Sequence, residues 1–106
     1  MNLDSYMNVT HHFSDGLYTK EIPIPKDYMV IQHRHNYSHL SILAKGRVLV
    51  HVDDEVKEVV GPACLEIKKG AFHSIKALED SLWYCIHATD ETDLNNMEDV
   101  LVKKGD

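Results

Sequence analysis

The chain has 106 residues, 43% hydrophobic and 26% charged, the balance of a soluble globular protein rather than a disordered or collagen-like one. This length suits one domain and leaves no room for a separate cofactor-binding module. Eleven Lys and Arg against 17 Asp and Glu give a formal charge of −6 with no basic stripe, which argues against a nucleic-acid partner.

Met1 to Asp15 holds Asp and two His but neither a cationic start nor an apolar run, so neither a signal peptide nor a membrane span is expected and the default compartment is the cytosol. The stretch reads as a disordered or arm-like N-terminus. His11 and His12 are adjacent and point apart in an extended chain, so they are not expected to form a ligand pair.

From Leu17 to Ala88 short runs rich in Val, Ile, Leu and Tyr alternate with turn formers at intervals of about ten residues, the rhythm of an all-β sandwich or barrel. Eight strands are predicted near Leu17 to Pro23, Tyr28 to Arg34, His39 to Ala44, Val48 to Asp53, Val56 to Val60, Cys64 to Lys68, His73 to Leu78 and Leu82 to His87. Lys45-Gly46, Asp53-Asp54, Gly61-Pro62 and Lys69-Gly70 read as hairpin turns, and Pro23 with Pro25 should keep their segment at an edge. Cys64 and Cys85 form no CxxC pair and no disulfide framework. Beyond the strands, Leu94, Met97, Val100 and Leu101 recur at helical spacing after Thr92 and Asp93, which predicts a short amphipathic helix over about residues 92–104, packing against the sheets.

Of eight histidines, five fall between His33 and His73, in segments read as strands or strand ends. His33 and His35 are two apart, so the strand period places both imidazoles on one face, roughly 7 Å apart and able to converge on one ion. His39 follows after the polar Asn36-Tyr37-Ser38, which can turn the chain back. His73 starts a later strand and brings a fourth nitrogen from elsewhere in the barrel. A lone inward His is usually a hydrogen-bonded core residue, so the joint spacing carries the metal reading.

The runs HRHNYSHLSILAKG, from His33 to Gly46, and GPACLEIKKGAFHSIKA, from Gly61 to Ala77, resemble the two motifs of the cupin superfamily over about Tyr28 to His87. The resemblance implies a cupin-type double-stranded β-helix, or jelly-roll barrel, with its core over about residues 17–88 of a single domain. It makes His33, His35 and His73 metal ligands and puts His39 where the family usually has Glu. Lys68, Ala77 and Asp27 stand where the family commonly has Pro, Asn and Gly. Four neutral imidazoles leave the dipositive charge of an ion uncompensated, so a stronger Lewis acid is expected, one that attracts an anionic ligand to an open position. Iron, zinc, nickel, manganese and copper all remain candidates.

If His33, His35 and His73 point inward, Met29, Ile31, Ile75 and Ala77 share their faces and make an apolar cavity floor. On the last strand Trp83, Cys85 and His87 share one face and Leu82, Tyr84 and Ile86 the other; periodicity does not choose between them, and we favour the Trp set. His87 or Tyr84 is the candidate proton-transfer residue. Tyr37 and Phe72 flank ligands at the pocket mouth, Gln32, Arg34 and Ser41 are polar contacts if inward, and His51 reads as a surface or interface residue. The expected function is a metal-dependent enzyme acting on a small oxygenated, sugar-acid or keto-acid-like substrate by isomerase, lyase or dioxygenase chemistry. A non-catalytic ligand-binding or sensing module is the alternative. Edge strands to be covered make a homodimer the expected assembly.

Overall fold

The computed structural model of the chain describes residues 8–32, 37–71 and 73–93, which form nine strands and no helix. These are β1 Thr10–Ser14, β2 Leu17–Ile24, β3 Met29–Gln32, β4 His39–Lys45, β5 Arg47–Val52, β6 Glu55–Val60, β7 Ala63–Ile67, β8 His73–Ala77 and β9 Ser81–Ala88. Thr92 and Asp93 have no regular structure, and the rest of the helix expected over residues 92–104 lies outside the described residues.

The strands make two antiparallel sheets, one in the order β1-β2-β9-β4-β7 and the other β3-β8-β5-β6. Eight of the nine match the strands expected from periodicity to within a few residues at their ends. The turns correct the local reading. Asp53-Asp54 does close a hairpin, Val52 pairing with Glu55 and Asp53 taking φ 50°. Gly46, Gly61-Pro62 and the Lys68-to-Phe72 connection are not hairpins, because the strands they join lie in different sheets. A Gly or Pro marks a change of direction, but whether the next strand pairs with the last one or crosses to the opposite sheet depends on long-range pairing.

The ninth strand is the other correction. Thr10–Ser14, read as part of an arm, pairs with β2 from Thr10↔Glu21 to Ser14↔Leu17 across the two-residue turn Asp15-Gly16, where Gly16 takes φ 72°. Pro23 therefore belongs to an internal strand. It is tolerated because the β1 register ends at Glu21, so at Pro23 the strand has its neighbour, Leu82 of β9, on one side only.

Inward side chains follow the period of two. β2 buries Tyr18, Ile22 and Ile24, β4 buries Leu43, β5 Val48 and Val50, β8 Ile75 and Ala77, and β9 Trp83 and Cys85. Each fully buried aliphatic or aromatic side chain contributes about 1.5–3 kcal/mol. Gly46, half-buried where the chain crosses from β4 to β5, is fixed by two constraints at once. Its φ is +102°, and a Cβ there would lie 2.7 Å from Ser81 Cα. Gly70 has only the first constraint, with φ +78° and open space around it. Asp27, where a Gly was expected from the resemblance, takes φ 73°. Its N–H donates to the Ala77 carbonyl at 2.8 Å, so two of the three departures from the motif touch each other.

Candidate functional site

The lining of the barrel changes along its axis. Toward one end, β4 and β9 pair Leu43 with Trp83; one step on they pair Ser41 with Cys85. Beyond these, His39 and His87 meet, their rings stacked with centroids 4.4 Å apart and planes 30° apart. In the opposite sheet Ala77, Ile75 and His73 follow the same progression along β8, and the His73 ring lies 6.0 Å from that of His39. His39, His73 and His87 are 5%, 0% and 2% exposed. An apolar shaft thus ends in a buried cluster of three imidazoles contributed by β4, β8 and β9.

Two hydrogen-bonded links brace this end. Ser41 Oγ lies 3.3 Å from His39 Nε2 and donates to Cys85 Sγ at 3.8 Å. Ser38 Oγ accepts from the Lys69 N–H at 2.9 Å, tying the turn before His39 to the turn before His73. The two histidine-bearing segments, joined through Ser38 and Lys69 31 residues apart in the chain, are thus held by a hydrogen bond as well as by packing.

Of the four expected ligands, His39 and His73 are brought together at this end. His33 and His35 lie outside the described residues, as do Arg34 and Phe72. The expected apolar floor holds for Ile75 and Ala77 but not for Met29 and Ile31. Val30 is the inward residue of β3, while Met29 and Ile31 face out, 47% and 65% exposed. The inward face of β3 is therefore the alternate of the expected one, and the face shared by Met29 and Ile31 is no guide to His33 and His35. Gln32 pairs with His73 through the backbone ladder.

On β9 the Trp83, Cys85 and His87 set faces the barrel interior. Tyr84 faces the other way, as the register partner of Glu21, so it does not share the cavity with His87. Desolvation raises the Tyr84 phenol above its ordinary pKa, and the charge of Glu21 and a hydrogen bond with it add to the rise. Tyr37 is half-buried with its ring at 74° to that of His87, centroids 6.4 Å apart, and burial raises its phenol pKa as well. His51 is half-buried and alternates with the inward Val48 and Val50, with Val56 and Ser74 as its register partners.

The residues that were not foreseen come from the hairpin β1–β2. Tyr18, 1% exposed, stacks on His87 with centroids 5.9 Å apart. His11 Nδ1 is 2.7 Å from the Tyr18 hydroxyl, and Phe13 stacks on the same ring at 5.3 Å. The Asp15-Gly16 pair, flanked by His11 and Phe13 on one side and Tyr18 and Lys20 on the other, is the signal in the sequence for this hairpin.

Among the described residues, no group of three His, Cys, Asp or Glu side chains is arranged to hold a metal ion. His39 and His87 stack face against face, a packing contact rather than a shared coordination sphere. His39 and His73, with tilted rings and borderline-soft nitrogen donors in a water-poor site, fit two positions of an imidazole set for a divalent transition metal.

No protein-family profile matches the chain, and no curated protein sequence matches it significantly. Solved structures do. The cupin 2 domain-containing protein from Halorhodospira halophila superposes with a TM-score of 0.70 at 18% identity, covering 88% of this chain and 74% of that one. The cupin 2 conserved barrel domain protein from Salinispora arenicola gives 0.72 at 12% identity, covering 85% and 82%. KdgF from Halomonas sp. gives 0.66 at 14%, covering 81% and 79%. The two antiparallel sheets closed over a shaft of alternating inward residues are thus the fold of these cupin-domain proteins, a cupin-type double-stranded β-helix.

Proposed function

We propose that the chain is a metal-dependent cupin that takes a small oxygenated anion, of the sugar-acid or keto-acid kind, at the histidine end of its barrel. The observation that carries this reading is the burial of His39, His73 and His87 together at one end of an otherwise apolar shaft. Three imidazoles are costly to bury for packing alone.

His33, His35, His39 and His73 would hold one divalent ion of iron, zinc, nickel, manganese or copper. When bound, such an ion polarises a carbonyl or enolate oxygen, the chemistry of isomerases and lyases, and as iron it supplies dioxygen chemistry. His87 takes and returns a proton through its imidazole, beside the ligands and not among them. Tyr18 braces the His87 ring from the β2 side, and Tyr37 meets it edge-on. Ile75, Val30 and Trp83 below the cluster keep bulk water out of the shaft.

Elemental analysis of protein purified without a tag, beside the His33→Ala, His35→Ala and His73→Ala variants, tests the site. Close to one equivalent of a single metal, lost in the variants, is the expected result. Undiminished metal in His35→Ala, or none in the wild type after reconstitution, overturns it. One observation favours a second reading, a binding or sensing module without turnover: with Tyr84 on the outer face, the site loses one of its two candidate acid-base groups. Incubating metal-loaded protein with unsaturated uronates, keto acids and thiols separates the two, since an enzyme forms product whereas a sensor only gains thermal stability.

A further inference from the structure

We infer that the seam between β6 and β7, on the flank of the barrel, is a binding site for an aliphatic α-amino acid. The site uses none of the histidines and stands independently of the metal reading.

β6 and β7 follow each other in the chain, but each is the last strand of a different sheet, so the two layers part along this edge. A cavity of about 160 Å³ lies in the gap, walled by Val50, Val52 and Val59 from one sheet and Leu65 and Ile67 from the other. Apolar cavities of this order hold one six-carbon ring, so the floor suits a branched hydrocarbon group of roughly four carbons.

The charges at the mouth depart from the pattern of the strand. Residues 55, 57 and 59 share one face of β6, the face that Val59 turns inward, and their register partners Val52, Val50 and Val48 belong to the inward face of β5. Only Val59 is apolar. Glu55 and Lys57 take the other two positions, where they line the cavity and stay exposed to water. Glu66, the third charged residue of the lining, is held by Lys68 at 2.7 Å. Among the described residues neither Glu55 nor Lys57 makes an ion pair. The mouth therefore offers one ammonium and one carboxylate, their Cα atoms roughly 7 Å apart along the strand.

This pairing of charges sets the class of ligand. A simple carboxylate meets Lys57 but faces Glu55, and a simple amine does the reverse. An α-amino acid carries both charges on one carbon: its carboxylate accepts from Lys57 and its ammonium donates to Glu55. The side chain on that same carbon then rests on the Val, Leu and Ile floor, which leucine, isoleucine and valine fit by size.

Titrating the full chain, methyl-labelled at Val, Leu and Ile, with L-leucine tests the site by carbon–proton correlation spectra. Saturable shifts centred on Val50, Val52, Val59, Leu65 and Ile67 are expected. Glycine, without the side chain, should bind at least about tenfold more weakly. Lys57→Met should weaken leucine about two- to fivefold without weakening isopentylamine, and Glu55→Gln should weaken leucine similarly without weakening isovalerate. Both side chains are exposed, so neither change disturbs the core. Shifts that do not saturate, glycine binding as well as leucine, or leucine affinity unchanged in both variants overturns the inference. Glu55 and Lys57 are then inward charges that keep an edge strand from pairing with another chain.

Discussion

Replacing Gly46 and Gly70 one at a time by Ala separates two reasons for a glycine that look alike in the sequence. At Gly46 the added Cβ meets Ser81 Cα at 2.7 Å, a backbone atom that cannot swing aside, and the residue must also hold φ +102°. A left-handed backbone costs a non-glycine residue about 1–2 kcal/mol. Overpacking a tight contact adds about 1–3 kcal/mol. Gly46→Ala should therefore lose roughly 2–5 kcal/mol, which for a domain of this size lowers Tm by roughly 10–30 °C. Gly70 has φ +78° and nothing within 4 Å of the added atom, so only the backbone strain applies. Gly70→Ala should lose roughly 1–2 kcal/mol, or about 5–15 °C. Thermal unfolding followed by circular dichroism measures both. Introducing Ser81→Gly beside Gly46→Ala should restore only part of the loss, because Ser81 Cα remains. Equal losses at the two glycines, or the larger loss at Gly70, would refute the packing account of Gly46.

Trp83→Ala empties the largest fully buried side chain and should destabilise by about 3–5 kcal/mol in urea unfolding; a loss under about 1 kcal/mol would mean that the shaft is not close-packed there. The raised Tyr84 phenol binds its proton more tightly in the folded chain than in the unfolded one. Its contribution is therefore complete below the ordinary tyrosine pKa of about 10 and is lost as pH rises through the folded value. Tyr84→Phe should flatten the decline in stability above about pH 10, and identical wild-type and variant slopes would contradict the assignment. Asp27→Gly relieves the residue at φ 73° but frees the unfolded backbone, so stability should change by less than about 1 kcal/mol, and a larger loss would show that the Asp27 side chain has a role of its own.

Several parts of the site were legible before the fold was known. The period of two links Trp83, Cys85 and His87 as one face and His73 with Ile75 and Ala77 as another, and both sets do face inward. The same rule misled at Met29 and Ile31, where the face was inferred from His33 and His35 across residues whose pairing is not set locally. Alternation says which residues go together; it does not say which side is the core until a second sheet closes over one of them. The same limit applies to Tyr84, whose face only the pairing of β9 with β2 decides.

By itself the sequence determined what short-range forces determine: all-β character, eight of the nine described strands and the alternation within each. These depend on side-chain type and on a repeat of two residues, both of which are read along the chain. Only the tertiary structure decided that Gly46 and Gly61-Pro62 send the chain across to the other sheet, that Thr10–Ser14 is a strand bringing His11 and Phe13 to Tyr18, and that Ser41 stands between His39 and Cys85. Each of these depends on contacts between residues far apart in the chain, where the free energy lies in which strands pair and which faces meet, and no local window of sequence contains that information.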